Sequence, residues 1–132
     1  MSLAHLPPIL ILHLKLFQYN VNTNRVDKLE KNMPIKETLD MPLGALSPGL
    51  RDKVKKPPKY ELTGVINHHG IGAEGGHYTA ETKRGRKWFK VDDNKVSEVR
   101  LSEVLHTDNK RTPYLLERGL DIEKIFCFLL YI

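Results

Sequence analysis

Residues 75–93 read GGHYTAETKRGRKWFKVDD, and this stretch decides the fold of the chain. Its polar break at Lys83–Arg86 contains a glycine, which favours a tight turn between two strands. With Arg84-Gly85 as a two-residue loop, His77 lies directly opposite Asp92 on the paired strands. Opposed residues of an antiparallel pair have Cβ atoms roughly 4.5–5.5 Å apart. The spacing therefore predicts a β-hairpin that brings a histidine beside a carboxylate at its open end.

The predicted pairing of His77 with Asp92 has a catalytic and an ordinary interpretation. In a catalytic triad a neutral imidazole takes the proton of the nucleophile, while a carboxylate fixes the tautomer of the ring and stabilises the imidazolium. A histidine opposite an aspartate is also compatible with a surface pair on a sheet, worth under about 1 kcal/mol. Spacing alone leaves both interpretations open.

The rest of the chain indicates an α+β fold that is mostly antiparallel β. Alternating apolar residues predict strands over Ile9–Phe17, Tyr60–Asn67 and Thr112–Leu116, the first of them buried. The asparagine-rich residues 18–33 are typical of a hairpin or loop excursion. A short helix is predicted over Ser102–Leu105, with the serine as its cap. The many turn signals exclude a helical bundle.

Composition excludes several classes of function. A length of 132 residues suits one domain or a piece of a larger one. The net charge of +5 concentrates at Arg51–Lys59 and Lys83–Lys90, and neither segment has the alternating aromatics of a nucleic-acid platform. The longest apolar run, Ile125–Ile132, is too short to cross a bilayer. We therefore expect neither a nucleic-acid partner nor a membrane partner.

The chain has one cysteine, Cys127, so it forms no internal disulfide and has no paired CxxC zinc motif. This usage fits a reducing compartment, and we expect a cytoplasmic location, with the nucleus as a second compartment. Cys127 lies in an apolar run, which favours a buried structural thiol over a reactive one. We expect no bound metal and no cofactor.

Three motifs, taken in their order along the chain, resemble the ubiquitin-specific proteases, a family of papain-like cysteine deubiquitinases. Leu6–Phe17 resembles the strand signature of the family, and Tyr60–Gly70 with Gly75–Ala80 resembles its histidine box. Trp88–Asp93 resembles the segment that supplies the third member of the triad. The chain is most similar to the branch that contains yeast Ubp3.

The resemblance covers residues 6–116 and implies the C-terminal portion of a papain-like catalytic domain. Residues 1–132 would form a single partial domain, and residues 117–132 would be a divergent tail. Within this tail, Asp121–Ile132 are ambiguous between strand and helix. Pro113 departs from the final strand signature, because its missing N–H suits only an edge strand or the start of a strand.

The resemblance assigns roles to the residues of the hairpin and of the preceding loop. His77 would be the general base and Asp92 the carboxylate that orients it. Asp93, on the opposite face of the strand, would help to order the site. Gly75 and Gly76 would line a narrow channel, since absent side chains let an extended substrate backbone approach closely. The residues implied to bind the substrate, the C-terminal tail of ubiquitin, are His68, Gly75, Gly76, Tyr78 and Asp93.

The family nucleophile is a cysteine in a Gly-Asn-Thr-Cys type of box, and this sequence has no such box. The resemblance therefore implies one part of a thiol-dependent deubiquitinase, which hydrolyses bonds after the C-terminal glycine of ubiquitin. This part supplies the base and the orienting carboxylate but not the nucleophile, and the isolated chain is expected to be inactive. The implied partners are ubiquitin or a ubiquitinated protein, and a nucleophile-bearing segment or chain.

Two alternatives belong to other classes of function. The first is a non-catalytic ubiquitin-binding or regulatory fragment. The second is a metal site formed by His68, His69, His77 and Asp92, which is disfavoured because their spacings match no common ligand pattern.

Overall fold

A computed structural model describes residues 2–29, 33–70, 75–108 and 110–121 of the protein. These ranges contain mainly antiparallel strands, joined by turns and by helices of at most four residues. The strands are β1 (Ile9–His13), β2 (Phe17–Asn20), β3 (Arg25–Lys28), β4 (Thr38–Asp40), β5 (Lys59–His69), β6 (His77–Arg84), β7 (Lys87–Asp92), β8 (Lys95–Val99) and β9 (Arg111–Leu120). The helices are a 3₁₀ turn at Leu43–Ala45, α1 (Pro48–Arg51) and α2 (Leu101–Val104). This confirms the predicted fold class.

Seven strands form one antiparallel sheet in the order β1-β9-β5-β6-β7-β8, with β4 on β5 beyond the end of β6. Strands β2 and β3 form a separate hairpin, as the asparagine-rich segment predicts. Because β5 lies at the centre, it contributes to both apolar clusters of the core. One cluster contains Ile35, Leu62, Val65, Trp88, Val104 and Leu116; the other contains Met41, Leu46 and Tyr60.

The hairpin of β6 and β7 forms, but its predicted register is wrong by two residues. Arg84 pairs with Lys87, so the loop is Gly85-Arg86 rather than Arg84-Gly85. Gly85 takes the first loop position with a φ of +61°, a conformation that favours glycine. A shift of two residues keeps every side chain on its face of the sheet, because side chains alternate with a period of two. His77 and Asp92 therefore lie on the same face of the sheet, as predicted, despite the error in register.

The other predicted elements differ from the structure mainly at their ends. Strand β1 forms, but it is not buried, since Ile9 and Ile11 are 59% and 56% exposed. The short helix begins after Arg100 rather than Ser102, because the Glu103 carboxylate accepts a hydrogen bond from the Arg100 backbone N–H at 2.9 Å. The loop predicted after Asn67 begins later, since β5 continues to His69.

Strand β9 contains Pro113 and is nevertheless an interior strand, with β1 and β5 as neighbours. The pairing of β9 with β1 ends at Leu115, and Pro113 faces β5 where the register of that pair shifts. The missing N–H thus falls where the ladders are interrupted, close to the start of the strand. Strand β9 also continues to Leu120, past the boundary predicted at residue 117. Cys127 and the remaining tail lie outside the described residues.

Within the described part of the chain, no helix has the length and apolar character required to cross a membrane.

Candidate active site

His77 and Asp92 form a hydrogen-bonded pair at the open end of the β6–β7 hairpin. His77 begins β6 and Asp92 ends β7, and their side chains meet with Nε2 of the ring 2.5 Å from Oδ1 of the carboxylate. In the observed register they are diagonal neighbours on one face, within reach of long side chains. Both side chains are partly exposed, at 46% and 37%. The structure thus brings together the two residues that the sequence predicts as base and orienting carboxylate.

The charge on Asp92 is stabilised by its neighbours. The hydrogen bond from His77 is the main cause that holds the pKa of the Asp92 carboxyl below its ordinary value. Lys90 adds to the effect, with its ammonium 3.4 Å from Oδ2. Asp92 is therefore ionised at neutral pH and able to stabilise an imidazolium on His77.

Asp93 does not point to the opposite face of the strand, and that part of the prediction is wrong. β7 ends at Asp92, and Asp93 turns the chain towards β8 with a φ of +52°, so the alternation of faces stops there. Its carboxylate comes close to the pair, and one ligand atom from each of His77, Asp92 and Asp93 lies within 4.8 Å of the others. Such a trio is able to hold a cation, but the Lys90 ammonium already occupies the second oxygen of Asp92.

The metal set considered from the sequence is not brought together. His68 and His69 are consecutive in β5 and therefore face opposite sides of the sheet. The His69 ring bonds to Thr79 Oγ1 at 2.8 Å, on the side of His77. The His68 ring packs on the other side against Tyr78, with centroids 5.0 Å apart. The sheet thus separates His68 from His69, His77 and Asp92.

His68 and the two glycines form one packed unit. His68 is 2% exposed, and its Nε2 lies 3.2 Å from the Gly75 carbonyl oxygen. A Cβ on Gly76 would come within 2.3 Å of His68 Nε2 and 2.6 Å of the His69 carbonyl oxygen. At Gly75 a Cβ would meet no atom of the described residues within 4 Å. Packing within the protein therefore requires a glycine at position 76, whereas Gly75 leaves open space.

An aromatic wall, made of Phe17, His68, Tyr78 and Tyr114, lies beside the glycines. The His68 ring contacts Phe17 at a centroid distance of 5.3 Å, and Tyr78 contacts Tyr114 at 5.6 Å. Tyr78 is 51% exposed, so the wall has an open apolar surface. Sequence reasoning did not identify Phe17 and Tyr114 as members, although both lie in segments that it predicts as strands.

Sequence reasoning also did not identify a buried ion pair on the face of β6 that carries His77. Glu81 is 3% exposed, and its carboxylate lies 2.9 Å from Arg111 Nη2. The side chain of Asn67 donates to the other carboxylate oxygen at 2.6 Å. One signal was available: Glu81 falls four residues after His77 in the predicted strand, and hence on the same face.

His69 has a depressed pKa because burial disfavours its charged form, and the Lys90 and Arg111 cations act in the same direction. The folded protein thus binds a proton at His69 less readily than the unfolded chain does, in which a histidine has a pKa of about 6.5. Stability attributable to His69 is present above that pH and is lost as the pH falls below it. We expect His69→Gln to flatten the dependence of the unfolding free energy on pH between about 7 and 5. Urea unfolding at several pH values measures this, and an unchanged slope contradicts it.

Comparisons with known proteins identify the family to which the chain is similar. The model of the family described as ubiquitin carboxyl-terminal hydrolase matches residues 1–117. The chain is 35% identical to "Probable ubiquitin carboxyl-terminal hydrolase 3" of Schizosaccharomyces pombe, over 90% of this chain and 23% of that protein. It is 38% identical to "Ubiquitin carboxyl-terminal hydrolase 10" of Mus musculus, over 87% of this chain and 15% of that protein.

Among solved structures, the chain resembles a protein in the "SAGA Ubp8/Sgf11/Sus1/Sgf73 DUB module bound to ubiquitin aldehyde". The TM-score is 0.73 at 32% identity, and the match covers 90% of this chain and 26% of that one. The chain thus spans about a quarter or less of the length of the proteins it matches here.

Proposed function

Because this chain belongs to the ubiquitin carboxyl-terminal hydrolase family, we propose that it is the base-bearing part of a thiol-dependent deubiquitinase. The observation that carries the proposal is the hydrogen bond of 2.5 Å between His77 Nε2 and Asp92 Oδ1. A partly exposed imidazole held by an ionised carboxylate is suited to take a proton from a thiol and to pass it on.

The proposed reaction uses a cysteine supplied by another segment or chain. His77 takes the thiol proton, and the thiolate attacks the carbonyl carbon of the C-terminal glycine of ubiquitin. The protonated ring then gives its proton to the leaving amine, and a thioester forms. Water, deprotonated by His77, hydrolyses the thioester and releases ubiquitin. Asp92 stays ionised and stabilises the imidazolium in each half of the reaction.

The proposed substrate site lies at the end of the sheet where β6 begins, between the aromatic wall on one face and His77 on the other. Tyr78 offers an exposed ring there, and Gly75 leaves open space next to it. An extended Gly-Gly tail that passes Tyr78 and Gly75 would reach His77 at this end of the sheet. In this proposal His68 and Gly76 shape the site from within, and Asp93 orders the turn beside the base. A cytoplasmic or nuclear location follows from a ubiquitinated substrate.

A chimera tests the catalytic role. The matched segment of the Schizosaccharomyces pombe relative is replaced by this chain, so that the relative supplies the remainder of the domain. We expect turnover of a fluorogenic ubiquitin amide, with kcat/KM falling about 10²–10⁴-fold in His77→Ala and in Asp92→Asn. Both losses follow from removing the proton acceptor or the group that orients it.

Glu98→Gln is the matched control for the chimera, because Glu98 is an exposed carboxylate that pairs with Lys87 at 2.9 Å, on the neighbouring strand. We expect its kcat/KM to stay close to that of the parent chimera. Full turnover in the His77→Ala chimera contradicts the proposed base. The isolated chain is expected to show no turnover, and activity that depends on His77 in that chain would overturn the assignment of the nucleophile to another segment.

A second candidate function is ubiquitin binding without catalysis. It is favoured by the exposed Tyr78 in a chain that has no Gly-Asn-Thr-Cys box. A titration of labelled ubiquitin with the isolated chain distinguishes it from an inert fragment. Saturable binding that weakens in Tyr78→Ala supports this candidate, and absence of binding at high concentration removes it.

A further inference from the structure

The Glu81–Arg111 ion pair is largely removed from water. The side chains of Arg111 and Glu81 are 16% and 2% exposed. Taking both charges out of water costs several kcal/mol per ion in order of magnitude, and an apolar replacement of similar volume is often as stable. Stability alone therefore does not explain why this ion pair is buried.

Arg111 connects three parts of the structure. Its Nη2 bonds to Glu81 in β6, while its Nη1 donates to the carbonyl oxygens of Glu103 and His106 at 2.6 and 2.5 Å. These carbonyls lie at the end of α2 and just beyond it. The backbone N–H of Arg111 donates to Asp108 at 2.7 Å, which fixes the entry into β9. The guanidinium thus ties β9 and the end of α2 to the middle of β6.

Arg111, His69 and His77 form a cross-strand row over β9, β5 and β6. Arg111 is the register partner of His69, and His69 is the register partner of His77. The His69 and His77 rings have centroids 6.2 Å apart. Thr79, which lies between Glu81 and His77 in β6, holds the His69 ring through its hydroxyl at 2.8 Å. The buried pair and the proposed base therefore belong to one connected set of contacts.

The positive charge of Arg111 is compensated within this row. Arg111 carries a permanent positive charge, which would oppose an imidazolium nearby, and Glu81 compensates it at 2.9 Å. His69 stands between Arg111 and His77, and its lowered pKa keeps that ring neutral. An imidazolium on His77 thus meets a neutral ring on one side and the Asp92 carboxylate on the other.

From these contacts we infer that Glu81 and Arg111 are positioning residues that act through His69 and Thr79 to hold His77 against Asp92. They touch neither the substrate nor the reacting atoms. The inference rests on the proposed function, in which His77 is the base.

The test measures the titration of the Asp92 carboxyl carbon by NMR in the full chain, without a need for catalysis. In Glu81→Gln we expect the Asp92 pKa to rise towards its ordinary value, because the hydrogen bond from His77 loosens. Simple removal of a negative charge acts in the opposite direction, so a rise reports positioning. Arg111→Lys keeps the charge but loses the two-pronged geometry, and we expect a rise there also.

Glu98→Gln is the control, since it removes an exposed carboxylate outside the row. We expect no rise of the Asp92 pKa in that variant. The inference is overturned when Glu81→Gln and Arg111→Lys both fold but leave the Asp92 titration unchanged or move it downward. If neither variant folds, the Asp92 titration is measured in Thr79→Val instead. This variant keeps the ion pair and removes only the hydroxyl that holds His69. An unchanged Asp92 titration in Thr79→Val then overturns the inference, and a rise supports it.

Failure of the proposed function gives a different result. In that case the His77→Ala chimera keeps full turnover of the fluorogenic ubiquitin amide, whatever the Asp92 titration shows. A lowered value that rises in His77→Ala, combined with no response to the row variants, removes the positioning role alone.

Discussion

Replacing Gly76 with alanine is expected to destabilise the protein by about 3 kcal/mol. The backbone at Gly76 has a φ of +129°, and strain of this kind costs about 1–3 kcal/mol in a residue with a side chain. The new methyl group would also lie 2.6 Å from the His69 carbonyl oxygen, so the backbone must move. Overpacking of this kind costs about 1–3 kcal/mol more. Urea unfolding of the full chain measures the sum.

Gly75→Ala is the matched control for this prediction. Gly75 also has a positive φ, of +82°, but a Cβ there meets no atom of the described residues within 4 Å. We expect its loss of stability to be about 1 kcal/mol, from backbone strain alone. The difference between the two variants isolates the contact with His68 and His69. Equal losses would show that packing against those residues does not set the requirement for glycine.

Replacing Trp88 with alanine is expected to destabilise the protein by about 3–5 kcal/mol. Trp88 is 4% exposed and lies in the larger apolar cluster, on the strand that ends at Asp92. Its removal leaves a cavity and loosens the support of the site. The measurement is urea unfolding followed by far-ultraviolet circular dichroism, because the variant has no tryptophan fluorescence.

Val96→Ala serves as the comparison for Trp88→Ala, since Val96 is 67% exposed on the adjacent strand β8. Surface substitutions of this kind usually change stability by less than about 0.5 kcal/mol. A loss in Trp88→Ala as small as that in Val96→Ala would show that Trp88 does not stabilise the larger apolar cluster.

The sequence was most informative where local spacing determines the outcome. A turn signal and a period of two placed His77 and Asp92 on one face, even though the register was wrong by two residues. The same reasoning fails at Asp93, because one residue with a positive φ stops the alternation of side chains between the two faces of the strand. Sequence patterning does not specify where a strand gives way to a turn to within one residue.

Contacts between distant segments could not be predicted from the sequence. Glu81 and Arg111 are thirty residues apart, and they meet because β6 and β9 both pair with β5. The requirement for glycine at position 76 likewise arises from His68, which reaches it across the sheet. Such reasons depend on tertiary packing, and motif reasoning attributed this glycine to the substrate instead.

The exposure of Ile9 and Ile11 on β1 affects the tendency of the purified chain to self-associate. Within the described residues β1 pairs with β9 alone, so its other edge offers backbone donors and acceptors beside two isoleucines. An apolar, unpaired strand edge is a template for another strand. We therefore expect self-association of the purified chain to increase with protein concentration. The titrations proposed here therefore need a dilution series to separate the behaviour of the monomer from that of the associated protein.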